Sequence, residues 1–172
     1  AINRRKHQEK NPVMLTSLFL LGYLVIWTVF SAGVTVIQWG LHSMALLSPM
    51  MVSSSPLLGG IILISAGVFQ FTPYKQACLG HCRTPMGFLM TEWRLGKQGA
   101  FLMGIRHGYF CVGCCWLIMA LLFVAGVMNL LWVATIAGFV LLEKVMPSGE
   151  WVSRIAGVVM TVWGVGMIFG AF

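Results

Sequence analysis

Between Val13 and Trp39 the chain carries no charged side chain, and its apolar residues follow one another without the alternation of a half-buried strand. A backbone of that length in hydrocarbon must satisfy its own N–H and C=O groups, which restricts it to a helix or a closed barrel. Barrel strands alternate polar and apolar residues, so continuous apolarity predicts a transmembrane helix. The pattern recurs at 54–72, 100–124, 127–144 and 151–172. Together with 13–39, each stretch meets or approaches the ~20 residues needed to cross ~30 Å of hydrocarbon. The expected fold is therefore all-α, a polytopic transmembrane helix bundle with about five spans. No repeat or low-complexity tract divides it, so residues 1–172 read as a single membrane domain.

Composition removes the soluble alternatives. Only 9% of residues are charged and 59% are hydrophobic, whereas a soluble domain carries about 25% charged residues to solvate its surface. The net charge of +7 does not point to nucleic acid, because the basic residues are distributed as topology signals rather than as a binding face. Arg4, Arg5, Lys6 and Lys10 precede the first span. Lys75, Arg83, Arg94 and Lys97 fill the connection after the second, and Arg106 lies in the first turns of the third. Lys144 and Arg154 flank the last connection. All fall on one side, which the positive-inside rule assigns to the cytoplasm. The N-terminus is then inside, the C-terminus outside, and 73–99 forms a cytoplasmic Cys/His-containing loop. A bacterial cytoplasmic (inner) membrane fits this layout. The chain opens on Ala1 within a basic, loop-like stretch that has no signal peptide, which reads as an N-terminal truncation.

The chemistry-bearing residues are grouped. Cys78 and Cys82 bracket His81 in the 73–99 connection. Within the third span, His107, Cys111, Cys114 and Cys115 stand at i, i+4, i+7 and i+8, which share one helical face. Met103 and Met119 extend the stripe at either end. Thiolate, thioether and imidazole suit Cu(I) first and zinc second. A chain with no Asp and few Glu offers nothing to Mg or Ca. Cys78, His81, Cys82, His107 and Cys111 are expected to converge near the inner boundary, with Cys114 and Cys115 deeper. A cytoplasm-facing cluster stays reduced, which favours metal over a structural disulfide. The competing reading is that these cysteines pack as small hydrophobes. Glu143 and Lys144 read as an interfacial pair, with Glu143 also placed to support or ligate a metal. Asn129 reads as the cap of the fourth helix, and His42 with Met44, Met50 and Met51 as part of a disordered or interfacial loop, with weak Cu(I) ligation the lesser reading.

Three ordered motifs carry a family resemblance. The first is Gln70-Phe71-Thr72-Pro73-Tyr74-Lys75 with Cys78-Leu79 and Cys82-Arg83-Thr84-Pro85. The second is Gly104, His107-Gly108, Cys111, Gly113-Cys114-Cys115-Trp116 and Met119. The third is Met128-Asn129-Leu130, Trp132 and Glu143-Lys144. From about Tyr23 onward the chain resembles the family of predicted metal-binding integral membrane proteins (domain-of-unknown-function family number 2182). The resemblance implies a helical membrane fold and metal binding, and an additional Met-rich hydrophobic segment before the first span.

Two functions follow as expectations. The first is binding and delivery of a soft metal, Cu(I) favoured, to a metal acceptor protein. The second is an accessory or structural subunit of a larger membrane protein complex, its cysteine cluster structural. Membrane lipid is a partner in either. A thiol–disulfide role for the adjacent Cys114 and Cys115 fails on geometry, since an unbroken helix does not accommodate their disulfide. The sequence holds no hydrolytic triad, paired carboxylates or phosphate loop, so an enzyme is not expected.

Overall fold

The computed structural model describes residues 12–45, 55–83, 94, 96–146 and 149–170. Among these, every regular element is helical. In chain order they are α1 (Pro12–Ser43), α2 (Pro56–Phe69), α3 (Pro73–Arg83), α4 (Gly96–Ala120), α5 (Leu122–Ala125), α6 (Leu130–Val145) and α7 (Gly149–Ile168). The all-α expectation holds. The N-terminal basic cluster, Met50, Met51 and residues 84–93 lie outside the described residues.

Five spans were expected, and the helices among the described residues supply three or four. Three are long and apolar enough to cross a membrane: Pro12–Ser43, Gly96–Ala125 and Gly149–Ile168. The pair α2 and α3, bent by 67°, raises this to four if it counts as one span. The bend has a local cause. Proline disfavours helical geometry in the residue before it and cannot donate its own N–H. The chain therefore leaves the α2 path after Phe69 and restarts at Pro73. Thr72 serves both sides of the break: its hydroxyl donates to Phe69 O at 2.7 Å and accepts from Lys75 N at 3.3 Å. Thus α2 is only 14 residues long, and the stretch expected as a loop from 73 opens with an 11-residue helix.

The segment expected at 127–144 also shortens. Gly126 turns the chain with φ 94°, a value that favours glycine. Asn129 then caps α6, its side-chain oxygen accepting from Leu131 N at 3.1 Å, as expected. The resulting 16 residues reach about 24 Å, short of the ~30 Å hydrocarbon core.

Two close helix crossings build the framework. α1 crosses α4 through glycines: a Cβ on Gly22 would collide with Phe101 O, and one on Gly104 with Phe19 O. α2 crosses α7 the same way, where Cβ atoms on Gly60 and Gly164 would lie 2.8 Å from Gly164 O and Gly60 O respectively. Gly67 and Gly157 repeat the arrangement at 2.7 and 2.9 Å from each other's carbonyls. A Cβ on Gly170, by contrast, would meet open space. Small residues let backbones approach this closely, the usual device where no hydrophobic force drives helices together. Gly104→Ala is therefore expected to push α1 off α4 and cost about 1–3 kcal/mol. Thermal unfolding of the purified protein checks this, and an unchanged melting temperature would contradict it.

Between these crossings lies a core of Leu63, Ala66, Leu79, Ile118, Leu121, Ile136 and Val140, together with Cys78, Cys114 and Cys115. The outward faces carry bare apolar side chains instead of charges: Val13 is 78% exposed, Leu130 80% and Phe169 81%.

Candidate metal centre

The cysteines meet where α3 lies along α4. Cys78 and Cys82 are one helical turn apart, so they share the α3 face turned to α4. Cys78 is buried and faces Gly113, with its Sγ 3.1 Å from where a Cβ would stand. A Cβ there would press on the thiol. Cys82, half-buried, brings its Sγ to 4.0 Å from Cys114 Sγ.

On α4 the thiols partly turn back to their own helix. Cys114 and Cys115 both donate to Cys111 O, at 3.1 and 3.0 Å, the back-bonding that short polar side chains adopt in helices. All three α4 cysteines are buried and none is in a disulfide. Cys111 Sγ receives Lys144 Nζ from α6 at 2.9 Å and lies 3.4 Å from Tyr23 OH on α1. Four helices thus contribute to this sulfur neighbourhood.

The histidines stand elsewhere. His81 is exposed, its ring stacked on Phe110 of α4 at 4.4 Å and its Nδ1 2.9 Å from Ala77 O. His107 packs toward α1, between the rings of Phe19 (5.8 Å) and Tyr23 (6.0 Å). Met103, expected to extend the stripe, accepts Arg94 N on its sulfur at 3.3 Å. His42 is exposed at the far end of α1. Among the described residues, no three His, Cys, Asp or Glu side chains stand together in a form able to hold a metal ion. The seven-residue cluster of Cys78, His81, Cys82, His107, Cys111, Cys114 and Cys115 is therefore not assembled as one centre. What is assembled is a sulfur pair, Cys82 with Cys114, beside Cys111.

Glu143 does not pair with its neighbour Lys144 as expected. Successive helical residues point about 100° apart, so Lys144 reaches the α4 thiol while Glu143 turns into the core. There its two oxygens accept from Lys75 Nζ at 2.8 and 2.9 Å, and Oε1 also accepts from Ser153 Oγ at 2.7 Å. Gln70 Oε1 accepts from the same ammonium. Lys75 and Glu143 are 0% and 2% exposed. This buried pair pins α3 to α6, and Ser153 adds α7. Sequence reasoning treated Lys75 as a topology signal and a member of the first motif, without a partner. Its place on the same face as Cys78, Leu79 and Cys82 was the available clue, since a lysine on the buried side of a short helix requires an acidic partner.

The sulfur donors suit a soft ion. A zinc–thiolate bond is about 2.3 Å, so two sulfurs on one ion of that size stand between about 3.8 Å apart (tetrahedral) and about 4.6 Å (linear). The 4.0 Å between Cys82 and Cys114 falls inside that range. Thiolates without oxygen donors favour Cu(I). A family model described as copper chaperone, PpoB2, matches residues 1–167. The chain belongs to the PpoB2 copper chaperone family. No curated protein and no solved structure matches the chain. Membership in PpoB2 bears out the metal-related character of the expected family and gives the favoured metal, copper, general support.

Proposed function

We propose that this protein carries Cu(I) as cargo on the Cys82–Cys114 sulfur pair, at the inner boundary of a bacterial cytoplasmic membrane, and passes it to a metal acceptor protein. The single observation carrying the reading is the 4.0 Å separation of those two sulfurs, contributed by different helices. One sulfur sits on a short helix at the end of a bent pair and is half-buried; the other is buried on a long apolar helix. Such a pair is reachable from outside through Cys82 and shielded on the Cys114 side. Cys111 and Cys78 flank it as further soft donors for stepwise exchange. Zinc, the second expectation, is disfavoured here because its usual four-ligand shell has no counterpart among the described residues.

Membrane residence is part of the same proposal. Its supports are the three to four long apolar helices, the glycine-mediated crossings and the exposed large hydrophobics on α1, α6 and α7. Soluble monomers rarely leave contiguous apolar surface beyond a few hundred Å². The side bearing Lys75, Arg83 and Arg94 is the cytoplasmic one on the positive-inside rule. The narrower kinship with family number 2182 rests on the three motifs quoted above. The role is carriage rather than catalysis.

A competition titration tests this reading. The detergent-purified protein should hold about one Cu(I) per chain against a Cu(I) chelator under reducing conditions, as expected of buried thiolates. Complete loss of copper to a weak chelator would overturn it.

A further inference from the structure

We propose that Cys82 is an exchange site for low-molecular-weight disulfides such as oxidised glutathione, with Cys114 its resolving thiol, and that closing the two into a disulfide disables the copper pair. Only that last consequence rests on the copper reading above; the exchange itself stands on geometry. Of the five cysteines, Cys82 alone is not buried, and it lies one residue from the C-terminal end of α3. Cys114 Sγ, on α4, is 4.0 Å from it. Glycine lets the two helices come this close: a Cβ on Gly113 of α4 would stand 3.1 Å from Cys78 Sγ and 3.2 Å from Tyr74 OH, both on α3. Pairs within one helix are excluded. Residues three or four apart hold their Cβ atoms about 5–6 Å apart, whereas a disulfide needs about 3.5–4.5 Å. That removes Cys78 with Cys82, and Cys111 with Cys114 or Cys115. Cys111 is also engaged elsewhere, by Lys144 Nζ at 2.9 Å.

The exchange runs in two displacements. The Cys82 thiolate attacks one sulfur of the small disulfide, whose S–S bond breaks as a mixed disulfide forms at Cys82. The first small thiolate leaves and takes up the proton that Cys82 gave. The Cys114 thiol then leaves Cys111 O, to which it donates at 3.1 Å, and its sulfur attacks Cys82 Sγ. The Cys82–Cys114 bond forms, the mixed disulfide breaks, and the second small thiol leaves with the proton of Cys114. Two protein thiols are oxidised by two electrons, and one disulfide is reduced to two thiols. In a reducing compartment the pair rests as thiols, and an excess of disulfide closes it.

The test incubates the reduced full chain in detergent with excess oxidised glutathione, blocks the remaining thiols and reads non-reduced digests by mass spectrometry. The expected product has three of its five cysteines blocked, carries no glutathione and yields a Cys82–Cys114 cross-linked peptide. Its Cu(I) retention should fall about tenfold or more, since disulfide sulfurs are not thiolate ligands, and should return when the bond is reduced. Cys114→Ser should hold one glutathione on Cys82, and Cys82→Ser should take none. Five blocked cysteines, a lasting glutathione adduct on wild-type Cys82, or a link from Cys82 to Cys111 would overturn the exchange site. A link that leaves Cu(I) retention unchanged would overturn its effect on copper. Wild type that forms the link but holds no Cu(I) when reduced would instead overturn the copper reading, and the exchange site would stand.

Discussion

Lys75→Met is expected to destabilise the protein by about 3–5 kcal/mol, because it leaves the Glu143 carboxylate buried without its cation. Both partners are essentially inaccessible to water, so solvent cannot replace what the mutation removes. Ser153 still donates to Oε1, but a hydroxyl supplies one hydrogen bond and no charge. Replacing both residues, as in Lys75→Met with Glu143→Leu, removes the buried charge altogether and should recover at least half of the loss, since apolar substitutes for buried ion pairs are often near neutral. Full recovery is not expected: Gln70 and Ser153 lose their partners, at about 1–3 kcal/mol for each buried group left unsatisfied. Chemical unfolding of the single and double variants measures this directly. A single variant as stable as wild type would show that α3 is not held to α6 by this pair.

The second large effect concerns copper. Cys114→Ser and Cys82→Ser should each lower Cu(I) affinity by more than the about 10–100-fold typical of losing an outer-shell partner, because a hydroxyl is a hard, protonated donor where a soft thiolate is needed. Neither change should unfold the protein, since serine keeps the shape and, at 114, the back-bond to Cys111 O. His81→Ala serves as the contrast. Its ring lies on Phe110, on the exposed side of α3, so affinity should stay within a few-fold of wild type. A His81 effect as large as that of Cys82 would require α3 to rotate on loading, and would rule out the sulfur pair as described.

Helix type and placement were legible because uncharged runs of this length leave a backbone few other choices. The cap at Asn129 was legible for a similarly local reason. Span count was not, because hydropathy records apolar length without recording breaks. Pro73 folds α3 back against α4, and Gly126 with Asn129 delays the start of α6. At the site, helical spacing correctly put Cys111, Cys114 and Cys115 together, since one helix fixes their relation. Which residues of another helix join them depends on its rotation, and α3 brings Cys82 to Cys114 while the His81 ring lies on Phe110. Lys144 and Tyr23 reach Cys111 from two further helices. No spacing rule along one segment contains that information.

The most direct test of the central claim is X-ray absorption at the copper edge of the Cu(I)-loaded protein. The account predicts an all-sulfur environment with two thiolates as the principal ligands, lost when Cys82 and Cys114 are both changed to serine. A shell containing histidine nitrogen, or a sulfur shell that survives the double change, would contradict it.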